Sequence, residues 1–147
     1  PGAANYTLWQ NANTDFASYI PYPDYFAPSL YFPYARNSAS ITYVTRIKSF
    51  IAENLHEQKR LIRQYGTPTT QKIYPFISPW ISGSDASGPL NHDVFEDIFR
   101  LVMQLADGCI IWGGIGKDWS VGATESWWTK VVQPYLAANR RPAKAIF

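Results

Sequence analysis

Asp85 and Asp118 each follow an apolar stretch of this 147-residue chain, the place where a strand-end carboxyl is able to donate a proton or hold a polar ligand. Neither has a second carboxylate close by in sequence, and no Asp-x-Glu occurs anywhere. Asp24 precedes the stretch it borders. Glu53, Glu57, Asp93, Glu96 and Asp97 fall in helix-like segments and read as a solvated face with cap and dipole roles. His56 and His92 are the two histidines and Cys109 the single cysteine, too few ligands for a metal site. The run "GGIGKDWS" (113 to 120) lacks the spacing of a phosphate-binding loop, and no serine sits in a nucleophile-elbow pattern. No cofactor is expected. What the chain has in excess is ring surface: six Trp, ten Tyr and eight Phe make up 16% of it. That surplus marks either an aromatic-rich core or a binding cleft.

These residues are carried by three similar units. "YFAPSLYF" (25 to 32) reads as a strand, and Val44, Ile47, Ile51, Leu55 and Ile62 recur at helical spacing from about Ile41 to Tyr65, with Ser40 as cap and Gly66 as stop. "KIYPFISPW" (72 to 80) reads as a second strand, its prolines limiting the pairing of its backbone. A glycine- and serine-rich loop, 81 to 91, leads to a helix from about His92 to Ala106, with Phe95, Ile98, Val102 and Leu105 as its stripe and Asn91 as its cap. "LADGCIIWGG" (105 to 114) supplies the third strand, bounded by glycines. A second glycine-rich loop, 113 to 123, and a helix from about Thr124 through Leu136 follow.

Strand, loop and helix in repetition predict an α/β fold with right-handed crossovers and a parallel sheet. The spacing of the units suits a TIM-type (β/α)8 barrel, yet a full barrel takes about 250 residues. Residues 1 to 147 therefore read as one partial domain, about half of such a barrel, completed by further sequence, a partner chain or a second copy. Unpaired sheet edges give the same expectation of association.

Residues two apart on a strand share a face. If the aliphatic positions Leu30, Ile73, Ile77, Cys109 and Ile111 pack on helices, the opposite face carries Tyr31, Tyr74, Ser78 and Trp112. Trp80 ends the second strand and Asp85 lies in the loop behind it. Side chains at the carboxyl ends of barrel strands are where active sites form, so these six are the candidate substrate-binding residues. The competing reading is that the aromatic groups simply fill the barrel interior.

"PSLYF" after a Tyr- and Asp-rich approach, a long helix, "IYPFISPW", a helix ending in "LADGCIIWGG", and a last helix reaching "VVQPYL" together resemble the carboxyl-terminal half of the hyaluronidase-like glycoside hydrolases. The resemblance spans about residues 25 to 136. It implies that Tyr31 contacts sugar and that Trp112 lines the subsite of the scissile residue; Tyr74 is a weaker carry-over. It further implies an N-acetylated oligo- or polysaccharide whose acetamido group serves as nucleophile, a substrate-assisted departure from the two-carboxylate scheme. The family's Asp-x-Glu is absent here, as are its later cysteine pairs, so the catalytic acid is expected outside this chain. The alternative is a carbohydrate-binding or assembly module that has lost catalysis.

A formal net charge of +2 without a dense basic stripe argues against nucleic acid. No apolar run approaches the roughly 18 residues of a membrane span. Lacking disulfides, the chain leaves its compartment open; secretion is compatible, and the sequon at Asn5 would matter only in a secreted eukaryotic product.

Overall fold

The computed structural model describes residues 3–31, 41–81, 88–90, 92–112 and 127–139. Helix α1 (Ala3–Thr14) leads into strand β1 (Tyr25–Phe26), and helix α2 (Ile41–Tyr65) into β2 (Lys72–Ile73) and β3 (Phe76–Ile77). Strands β4 (Trp80–Ile81) and β5 (Gly88–Pro89) precede helix α3 (His92–Leu105), strand β6 (Ile110–Ile111), a π-helical segment Trp128–Val132 and helix α4 (Gln133–Ala138).

Three parallel stretches lie side by side in sequence order. Lys72, Tyr74 and Phe76 donate their amides to the carbonyls of Asp24, Phe26 and Pro28, while Leu30 donates back to Phe76. On the other side, Ile110 and Trp112 donate to Pro75 and Ile77. The central stretch, 72 to 78, is thus continuous in its pairing. Pro75, which has no N–H, merely divides it into β2 and β3. A bridge between Ser29 and Phe76 carries the first stretch past β1. Among the described residues each outer stretch has one neighbour, so both edges of this small sheet are open.

Among the described residues, helices pack on one face of the sheet. Leu30, Ile73 and Ile77 on the sheet meet Ile47, Ile51 and Leu55 of α2 and Phe95, Ile98 and Val102 of α3, all nearly or fully buried. Right-handed crossovers place consecutive helices on the same side, and α2 packs on α3 accordingly. The core continues through rings: Phe95 lies 6.3 Å from Phe99 and 5.7 Å from Trp127, and Phe99 meets Tyr135 edge-on at 5.1 Å.

Four features depart from the sequence reading. The segment 3 to 14 is helical although Asn, Thr and Gln, indifferent helix formers without a clear apolar stripe, fill it. Residues read as a loop after the second strand begin and end in an antiparallel pair, β4 with β5, in which Trp80 faces Pro89. The last helix opens with a π-helical turn before α4. The fourth departure is Glu57, which is not solvated: it is 3% exposed.

Glu57 is where α1 is fastened to α2. Its carboxylate accepts hydrogen bonds from Gln10 Nε2 (3.0 Å), Asn13 Nδ2 (3.2 Å) and the Arg60 guanidinium (2.8 Å to each oxygen). Arg60 also donates to Thr14 Oγ1 and Gln64 Oε1. Burial pushes the Glu57 carboxyl up, but the hydrogen bonds from Arg60, Gln10 and Asn13 and the Arg60 charge outweigh it and hold the group below its usual range. A depressed carboxyl stabilises the fold above its unfolded pKa of about 4.3, and that stability is lost as pH falls through the folded value. Glu57→Gln is therefore expected to cost about 1 to 2 kcal/mol at neutral pH. The gap from the parent protein should shrink on acidification toward pH 3, as urea midpoints at the two pH values will show; a gap independent of pH contradicts the account.

Candidate functional site

The exposure pattern along the first stretch settles which way the strands face. Tyr25, Ala27 and Ser29 are exposed, whereas Phe26, Pro28 and Leu30 are partly or fully buried, so the odd positions point away from the helices. In the third stretch Ile110 and Trp112 are 39% and 64% exposed, while Cys109 and Ile111 pack against the core. Burial lifts the Cys109 thiol to about 11, leaving it protonated and unreactive at neutral pH. The face of the sheet turned away from the described helices therefore carries Tyr25, Ser29, Tyr31, Tyr74, Phe76, Ser78, Ile110 and Trp112. No Asp or Glu occupies any of these positions.

Register then fixes their heights. Phe76 lies opposite both Ser29 and Ile110. Two residues further along, Tyr31, Ser78 and Trp112 form a row across all three strands at their carboxyl ends. Tyr31 is half-buried, Ser78 buried and Trp112 exposed. A ring, a hydroxyl and an indole side by side make a platform with a polar floor, suited to a ligand that has both an apolar face and hydroxyl groups.

Tyr74 belongs to the same face but not to that row. It sits four residues before Ser78, about 13 Å down the strand. Its ring lies 5.8 Å from that of Tyr25 and rests across Gly108. A Cβ built on Gly108 would stand 2.9 Å from Tyr74 Cε1. Gly108→Ala is therefore expected to push the ring aside and cost about 1 to 2 kcal/mol. Thermal melts and the shift of the Tyr74 ring proton resonances will check it.

The Trp80 side chain, all of Asp85 and Asp118, the helix caps Ser40 and Asn91, and the loop 113 to 120 lie outside the described residues. The backbone of Trp80 pairs with Pro89 just beyond the row, and Leu90 donates to the Pro79 carbonyl, which brings that hairpin to the carboxyl end of the sheet. Among the described residues no cluster of His, Cys, Asp and Glu has the makings of a metal site, and no helix is long and apolar enough to cross a membrane.

Two residues without a motif hold the opposite end of the sheet. Asp107, just past α3, accepts from the Ile73 amide at 2.9 Å while its own amide donates to the Ile73 carbonyl, pinning the end of α3 to the central strand. Gln71 is buried and donates to the carbonyls of Ile20 and Pro23, while its Oε1 accepts from the Thr67 amide. A Cβ at Gly66 would overlap that Oε1, which is a reason for glycine beyond helix termination. Sequence offered no signal for either role, because each depends on a partner more than 30 residues away.

No protein-family model matches the chain, and no curated protein matches its sequence. Solved structures do. The bee venom hyaluronidase in complex with a hyaluronic acid tetramer superimposes with a TM-score of 0.63 at 21% identity, over 86% of this chain and 38% of that one. A second, monoclinic structure of bee venom hyaluronidase gives 0.51 at 20% identity, over 94% and 38%. The chain thus spans well under half the length of these neighbours. At such identity the likeness is one of fold: short parallel strands alternating with helices, arranged as in a region of a hyaluronidase.

Proposed function

We propose that this chain is the sugar-holding part of a hyaluronidase-like (β/α) barrel, binding an N-acetylated oligo- or polysaccharide across the row Tyr31, Ser78 and Trp112. The observation that carries the reading is that row: three residues from three strands, brought into register at the strands' carboxyl ends on the face turned away from the described helices. Trp112 offers its indole face to a pyranose ring. Tyr31 offers its hydroxyl group to the sugar's polar edge, with the buried Ser78 between the two rings. The neighbour's bound hyaluronic acid tetramer supports a polysaccharide ligand.

On this reading that face and the two open edges are completed by further barrel strands, from other sequence or another chain, and the proton donor comes with them. Among the described residues the face positions carry no carboxylate, so on this reading the described part of the chain binds sugar and does not supply the proton donor. The same absence favours a second reading, a carbohydrate-binding module without catalysis. A protein with a strand-end Asp-x-Glu joined to this segment and hydrolysing N-acetylated polysaccharide would decide for the enzyme.

The test is a titration with a hyaluronan tetrasaccharide followed by tryptophan fluorescence. A saturable change is expected, with no release of reducing ends by this chain alone. A flat titration at millimolar sugar would sink the reading.

A further inference from the structure

A cavity of about 680 Å3 lies between α1 and the first half of α2, lined among others by Asn5 and Trp9 from α1 and by Arg46, Phe50, Glu53 and Asn54 from α2. At 100° per residue Arg46 and Glu53 fall opposite Ile47, Ile51 and Leu55, while Phe50 and Asn54 flank that apolar stripe, so the groove opens on the outer side of the helix layer and is separate from the sheet face. Its origin is mechanical. Gln10, Asn13 and Thr14 clamp the carboxyl-terminal half of α1 onto Glu57 and Arg60, one turn below the cavity. Asn5 and Trp9, from the amino-terminal half of α1, line the space beyond that clamp.

We propose that this groove is a second saccharide site, distinct from the sheet face, that takes a neutral pyranose oligosaccharide lying along α2. The volume is in the range of small-ligand sites. Trp9 and Phe50, both half-buried, present ring surface to the apolar faces of a sugar. The Trp9 ring is braced by Tyr6 at 5.3 Å. Asn54 is oriented before any ligand arrives: its Nδ2 donates to the Phe50 carbonyl at 2.7 Å, which leaves Oδ1 as a fixed acceptor for a sugar hydroxyl. Arg46 and Glu53 stand two helical turns apart, and no ion pair of the described residues includes either. One donates and the other accepts, and their charges cancel, which suits a neutral ligand better than a polyanion.

Calorimetric titration of three proteins separates this site from the sheet face: the parent chain, Trp9→Ala and Trp112→Ala. The probes are an uncharged N-acetylglucosamine tetramer and a hyaluronan tetrasaccharide. The neutral tetramer is expected to bind the Trp112→Ala variant with one site, and Trp9→Ala is expected to weaken that site by about tenfold or more. The hyaluronan probe should gain nothing in the groove from its charge. Asn54→Ala leaves the aromatic wall in place and should also weaken the site, so the test survives if Trp9→Ala fails to fold by circular dichroism. A Trp112→Ala variant that no longer binds the neutral tetramer, or binding indifferent to both Trp9→Ala and Asn54→Ala, overturns the proposal. Binding lost in Trp9→Ala with nothing left for Trp112 would instead leave the groove standing and remove the sheet-face reading.

Discussion

Trp112→Ala is expected to weaken hyaluronan tetrasaccharide binding about thirtyfold or more, the roughly 2 kcal/mol of an aromatic hot spot, while leaving the fold intact. Two observations set these expectations apart. The side chain is 64% exposed, so its removal opens no cavity in the helix-covered core. Its amide donates to the Ile77 carbonyl at 2.8 Å, a bond that alanine retains. Stability should therefore change by no more than about 0.5 kcal/mol, as for surface positions generally. Calorimetry on the variant reads the first quantity and urea denaturation the second. A large loss of stability with binding preserved would make Trp112 a packing residue and deprive the platform of its main surface.

Phe95→Ala is expected to give the opposite pattern, a cost of about 3 to 5 kcal/mol with no direct effect on the row Tyr31, Ser78 and Trp112. Phe95 is fully buried and joins α3 to the last helical segment through Phe99 and Trp127. Folded domains hold only about 5 to 15 kcal/mol in total, so this single truncation removes a large share of it. Denaturation midpoints measure it directly. A cost under about 1 kcal/mol would mean that the layer beneath the sheet repacks freely around the lost ring, contrary to a close-packed interior.

The contrast between these two residues was partly legible in sequence. Phe95 recurs with Ile98 and Val102 at helical spacing, and α2 and α3 begin and end within a residue of where their stripes and flanking signals place them. Strand alternation likewise separated Ile73 and Ile77 from Tyr74 and Ser78. Height along a strand is another matter, because it is set by pairing with other chain segments. Alternation put Tyr74 on the same face as Ser78, and the pairing that sets Tyr31 and Trp112 level with Ser78 leaves Tyr74 far below the carboxyl-end row, beside Tyr25 and Gly108.

Glu57 shows the same limit for charge. On α2 alone it belongs to the polar side, and it becomes a buried anchor only because α1, a helix with weak sequence signals, lies across it. The hairpin of β4 and β5 was concealed by Pro79, Pro89 and the glycine-rich sequence between its strands. Each of these features rests on contacts between distant segments, and local patterns of apolar and polar residues do not encode such contacts.

The central claim, that sugar binds across the row at the carboxyl end of the sheet, is tested most directly by mapping backbone amide shifts during titration with the hyaluronan tetrasaccharide. Saturable changes centred on residues 29 to 31, 76 to 78 and 110 to 112 are expected, all moving with one affinity and all lost in Trp112→Ala. Binding that leaves the amides of Ser78 and Trp112 unmoved would contradict it.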